Sequence, residues 1–209
     1  MFFPALALCA LAFSAEDRLR IDVVFHGQPL TPRFEQTAMA EVAEIWAKYG
    51  VDVRAASSSD AGQNGAIRLD VAVADRISQR DAIYTLGSIM FVEGEPSTRI
   101  VMFPDAIATL VSAETLVEDR GPRTPSPLFR EGTFARVFGR ALAHEIGHFL
   151  LRSKGHSRTG LMRASPLVSD LVDPQRSAFV LSAGEVKQLH ALPAWPCPGE
   201  RSAGGGRLP

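Results

Sequence analysis

Residues 134–162 read FARVFGRALAHEIGHFLLRSKGHSRTGLM, and the rest of the chain is best understood outward from this stretch. Apolar side chains recur at helical spacing from Phe134 to Leu151, which predicts the strongest helix of the chain. Val137, Ala141, His144, His148 and Leu151 fall on one stripe of it, largely apolar and turned inward. Within the stripe, His144-Glu145-Ile146-Gly147-His148 is an HExxH motif. Residues i and i+4 stand one turn apart on the same face, so both imidazoles reach a single ion. Burying two imidazoles on an apolar face without partners is costly, and neutral imidazole is a good zinc ligand. Glu145 is rotated by about 100° from His144, beside the ion rather than on it, in the position of a general base. Gly147 weakens a helix, and its presence implies that another segment comes close there.

A catalytic zinc usually takes three protein ligands and leaves one position for water. His156, eight residues beyond His148, is the first candidate for the third. Gly155 before it is expected to take a left-handed conformation and reverse the chain. Glu185, on a short downstream helix, is the rival, although Ser182-Ala-Gly-Glu185 also has the form of a capping box. His26 and His190 lack ligand spacing.

These residues resemble the metzincin clan of zinc peptidases, whose pattern is HExxHxxGxxH followed by a methionine turn. The carrying residues are His144, Glu145, His148, Gly155 and His156, then Gly160-Leu161-Met162. The third His stands two residues later than in that pattern, and Leu151 occupies the place of its usual Gly. The resemblance implies zinc as cofactor, a peptide or protein as substrate, and Met162 as the turn methionine beneath the metal. The order of elements upstream also looks like the matrixin-like members. By that likeness Leu86–Val92 would be the sheet edge that pairs with an extended substrate.

Upstream, LRIDVVFH (residues 19–26), Val51–Ala55, Ile67–Ala74, Leu86–Val92 and Arg99–Phe103 read as strands, the last two joined by a hairpin at Glu93-Gly94-Glu95-Pro96. Residues 33–49 carry Phe34, Ala38, Val42, Ile45, Trp46 and Tyr49 at helical spacing, closed by Gly50. Asp105 is expected to cap a helix reaching Val117. Residues 118–132, with three prolines, read as a long loop. Residues 152–180 read as irregular, and a short helix follows to Leu192. The expected fold is α+β: a twisted, mostly parallel five-stranded sheet with an antiparallel edge strand, backing helices, the active-site helix and a small C-terminal subdomain.

Residues 2–13, FFPALALCALAF, are apolar and uncharged, too short to span a bilayer comfortably, and fit a secretory signal ending near Ser14 or Ala15. The expected organisation is a signal peptide over 1–15, one catalytic domain over 16–201 and a disordered tail over 202–209. An exported chain, secreted or periplasmic, would keep Cys197 as its single cysteine, with no intramolecular disulfide and no membrane insertion after signal cleavage. No pro-domain cysteine is expected. With 22 Lys and Arg against 23 Asp and Glu, nothing suggests a nucleic-acid footprint. The chain is taken as a monomer. Two alternatives stay open: a zinc-stabilised binding protein without catalysis, and a zinc hydrolase of non-peptide amides.

Overall fold

The computed structural model of the chain describes residues 19–75, 85–118 and 126–191. The expected signal segment, the tail and the end of the last predicted helix at Leu192 lie outside these residues. Ten elements follow in order: β1 (Leu19–Gly27), α1 (Pro32–Ala47), β2 (Val51–Ala55), β3 (Ile67–Val73), β4 (Gly87–Val92), β5 (Glu95–Met102), α2 (Pro104–Glu118), α3 (Pro127–Leu151), α4 (Val168–Val172) and α5 (Ala183–Ala191). No helix among the described residues is long and apolar enough to cross a membrane.

The strands form one sheet in the order β2-β1-β3-β5-β4. β1 pairs in parallel with β2 and β3, and β3 with β5, while β4 runs antiparallel to β5 at the edge. This is the mixed, mostly parallel sheet expected. The β4–β5 hairpin turns on two residues, Glu93 and Gly94, both at positive φ, which is the type I′ geometry whose twist matches the flanking strands. Its strands therefore meet closer than the sequence suggested, and β5 begins at Glu95 rather than Arg99.

Alternation decides the two faces of the sheet. Ile21, Val23, Leu69, Val71, Ile100 and Met102 are buried in the core. In the opposite direction Asp22, itself buried, holds Arg54 at 2.7 Å, and Asp70 holds Arg68 at 2.7 Å. α1 starts at a Thr31 cap whose hydroxyl accepts from the Phe34 amide, and Gly50 takes φ +75° just beyond its end. It lays Phe34, Ala38, Val42, Ile45 and Trp46 into the core, against β2 and α3. Gly139 makes the α1–α3 crossing possible, because a Cβ there would strike the Ala38 carbonyl oxygen.

α3 differs from expectation at both ends. It begins at Pro127, capped by the Ser126 hydroxyl accepting from the Phe129 amide. Residues 127–132 of the expected loop are thus helix, because proline suits the first turn, where its missing N–H costs nothing, and residues 119–125 of it lie outside the described residues. At the far end the helix stops at Leu151, and Arg152, not Gly155, takes the left-handed conformation, at φ 47° and ψ 42°. Such a conformation costs a residue with a Cβ about 1–2 kcal/mol. Here it is offset by capping: the Arg152 amide donates to His148 and Phe149 carbonyls, and the Ser153 amide to the His148 carbonyl. α3 is also buried nearly all round rather than along one stripe, since sheet, α1 and the C-terminal segment enclose it. α2 begins at Pro104, so Asp105 lies in its first turn rather than before it. The segment 152–180, expected to be irregular, includes the single turn α4.

Candidate metal centre

His144 and His148 stand one turn apart on α3, and the loop after Arg152 brings His156 over them. The ring centroids are 4.7 Å apart for His144 and His148, 5.3 Å for His144 and His156, and 4.8 Å for His148 and His156. One nitrogen from each of the three lies within 4.8 Å of the others. The longer spacing to His156 is absorbed by residues 153–155, where the Ser153 hydroxyl accepts from the Gly155 amide at 3.0 Å. The Ser157 amide then donates to the Met162 carbonyl at 2.8 Å, closing the loop on itself.

The tautomers follow from the backbone. His144 Nδ1 is 2.7 Å from the Leu161 carbonyl, and His148 Nδ1 is 2.7 Å from that of Ser153. A carbonyl only accepts, so each Nδ1 carries the proton and each Nε2 presents a lone pair. The two Nε2 atoms face each other at 3.0 Å. Neither has a proton to share, so the approach is repulsive unless a cation lies between them. Two nitrogens on a tetrahedral zinc, each at about 2.0–2.1 Å, would be about 3.3 Å apart. Burial pushes His144 down to about 4 and His148 in the same direction, although the carbonyl contacts oppose this. Both imidazoles are therefore neutral, the form that binds metal, at neutral pH. The donor set and its spacing fit zinc.

Glu185 lies outside this cluster. Its carboxylate accepts from the Ser182 amide at 2.7 Å and from the Ser157 hydroxyl, and its own amide donates to the Ser182 hydroxyl. It is the capping box of α5, and it steadies the residue after His156.

Glu145 is 8 % exposed. Burial raises its carboxyl to about 7, while the Ile89 backbone amide, donating to it, opposes the rise. That hydrogen bond joins the acid to the edge strand. Gly87 permits the approach, because a Cβ there would come within 3.2 Å of Glu145 Cγ. Gly147 has the parallel role on the other side of α3: a Cβ would collide with Met162 Sδ, and Trp46 is 3.5 Å away. Met162 is thus wedged against the turn between His144 and His148, at 1 % exposure.

A cleft of about 570 Å³ opens over these groups, bounded by Leu86–Phe91, by α3 and by residues from Leu161 onward, including Leu171 and Phe179. The structure brings together the three histidines, Glu145 and Met162. It leaves His26 on the far side, against Asp70 at 2.7 Å. The Leu161 and Ser153 carbonyls and the Ile89 amide were invisible in the sequence, since backbone groups carry no residue signature. Beside Gly147, Gly87 offers a second readable hint of close approach, as a glycine inside a strand pattern.

No family model matches the chain, and no curated protein does so. Among solved structures it matches the crystal structure of archaemetzincin from Methanopyrus kandleri, with a TM-score of 0.50 and 13 % identity, over 85 % of this chain and 96 % of that one. At that identity the likeness is one of fold. It is a likeness to the fold of that metzincin and does not bear on the narrower likeness to the matrixins. In this chain that fold gathers His144, His148 and His156 within ligand distance of a single ion.

Proposed function

We propose that the chain is a zinc-dependent endopeptidase with Glu145 as its general base. The observation that carries this reading is the pairing of three convergent imidazoles with a buried carboxyl held at the sheet edge by Ile89. Zinc held by His144, His148 and His156 would supply a Lewis acid able to acidify water and polarise a carbonyl. Glu145 takes a proton from the attacking water and returns it to the leaving nitrogen, a task suited to a group that titrates near neutrality. Among the described residues β4 has a free edge, on which an extended peptide can add as a further strand, laying its carbonyl beside Glu145. Met162 is the methionine of the turn, supporting α3 at Gly147.

A closed structural site would need a fourth protein ligand. Among the described residues the cluster holds three, and Glu185 is engaged in its cap. This favours the enzyme over a zinc-stabilised binding protein. Glu145→Gln keeps the shape and the acceptor for the Ile89 amide while removing the base. It should retain one zinc per chain by metal analysis and lose hydrolysis of a casein-type substrate by about a hundredfold or more. Full activity in that variant would end the general-base assignment. Hydrolysis of small amides without any peptide cleavage would favour a non-peptide amide as substrate. Export on residues 2–13 is part of the same proposal, and N-terminal sequencing of the mature protein, starting near Glu16, would test it.

A further inference from the structure

The cleft walls carry unequal charge. Arg140, Lys154 and Arg163 line it, against Glu145 as the single carboxylate among the described residues. Two of these cations are already engaged. Arg140 reaches Glu41 and donates to the carbonyls of Asp170, Leu171 and Gln175. Lys154 lies 5.1 Å from the Phe91 ring. Arg163 is half-buried, and its guanidinium has no hydrogen bond or ion pair among the described residues. Asp170 borders the smaller adjoining pocket with it, yet the two form no ion pair. A half-buried cation without a partner has lost hydration and gained nothing in return, so an anion from outside is favoured there.

The backbone of Arg163 is fixed. Its amide donates to the Gly160 carbonyl, and the residue bridges to Ser157. It stands two residues after Leu161, whose carbonyl orients His144.

The two ends of the cleft have a polarity. Phe91 meets Lys154, just past the C-terminus of α3, while Gly87 lies against Glu145, further back along the helix. A chain laid antiparallel on β4 therefore runs from the Phe91 end towards Gly87, Ala141 and the Leu171–Phe179 wall. Arg163 shares a pocket with Phe179, and Phe179 in turn lies 4.7 Å from the Arg140 guanidinium, one turn before His144.

We infer that Arg163 is the specificity residue of this cleft and that it recognises a carboxylate on the C-terminal side of the scissile bond. The carboxylate can belong to an acidic side chain or to a free C-terminus. This inference rests on the hydrolytic reading above.

The test uses zinc-loaded protein and three matched peptides. Two are amidated and carry Glu or Gln immediately after the scissile bond, and the third ends at that residue with a free carboxylate. The Glu or the free-terminus peptide should exceed the Gln peptide in kcat/KM by about tenfold or more. Which of the two does so identifies the source of the carboxylate. Arg163→Met should level the three, and Arg163→Glu should shift preference to a fourth, amidated peptide with Lys at that position, an outcome that also demonstrates its folding. Equal rates for all three in the wild type, or a preference that survives in Arg163→Met, would overturn the inference. Binding separates it from the peptidase reading. In Glu145→Gln, fluorescence anisotropy with a labelled acidic peptide should show affinity that falls about tenfold on adding Arg163→Met, and that weakens with salt. Absence of any hydrolysis with Arg163-dependent binding intact would overturn the peptidase reading and support the carboxylate site. Binding indifferent to Arg163 would sink the site itself.

Discussion

The sheet with α1 and the segment after Leu151 are held in different ways. The first is an apolar sandwich: Ile21, Val23, Leu69, Val71, Val42, Ile45 and Trp46 are all buried against one another. The second has little regular structure, with a five-residue α4 and an α5 that buries no residue. Leu161, Met162, Leu171, Phe179 and Leu181 reach into the core from it, and polar ties hold the rest. Arg140, 1 % exposed, donates to three carbonyls around α4 and is neutralised by Glu41 of α1, which also takes two hydrogen bonds from Arg176. The Leu181 amide donates to the Tyr49 hydroxyl at 2.7 Å, and Gln188 donates to the Leu151 carbonyl at 2.6 Å. A sheet-forming chain can assemble by alternation alone. A lobe without periodicity needs named partners, and most of them sit on α1 and α3.

The sharpest way to break this arrangement is Glu41→Gln. It leaves the shape and removes the charge on which Arg140 and Arg176 converge, so unfolding free energy should fall by about 3 kcal/mol or more. Chemical denaturation measures the total. Hydrogen exchange should report the loss first between residues 161 and 181, with β1 and β3 still protected; uniform loss would mean that the two regions are one cooperative unit. Tyr49→Phe removes a single tie. It deprives a buried amide of its acceptor and should cost about 1–2 kcal/mol, with faster exchange at Leu181 as the local sign. The smallest effect is expected on the charged face of the sheet. The Arg68 hydrogen bond, with help from His26, holds the Asp70 carboxyl below its usual range. A depressed acid stabilises the fold above its unfolded pKa, about 3.9, and this is lost as pH falls through the folded value. Asp70→Asn should therefore cost less than about 1 kcal/mol at pH 7, because water screens the pair. The gap to wild type should close as pH falls below the unfolded value and through the folded one, as followed by thermal melts across pH.

The same contrast explains what could be read from the sequence. β1, β2 and β3 were legible because alternating burial leaves a period of two. α1 was legible through its apolar face. Glu41 is not legible on that face, since a charged residue beside Val42 looks like solvent-facing surface until Arg140 and Arg176 are placed against it. On α3, HExxH gave His144 and His148 outright, because their spacing is set by the helix. The chain reversal was assigned to Gly155 on glycine's freedom, whereas Arg152 makes it; amide capping outweighed the preference for glycine. The first turn of α3 was hidden by prolines that read as loop. The third ligand was ambiguous between His156 and Glu185 for a physical reason: both lie beyond the reversal, where sequence distance no longer maps to spatial distance.

The two carbonyls that fix the histidine tautomers both come from that second lobe or its entrance, Leu161 and Ser153. Occupancy of the nitrogens and order in that lobe are therefore coupled equilibria. A metal that binds only when both imidazoles are correctly presented draws the lobe into place, adding stability that grows with the logarithm of free metal concentration. By the same linkage, anything that loosens residues 153–161 weakens the site without touching a ligand.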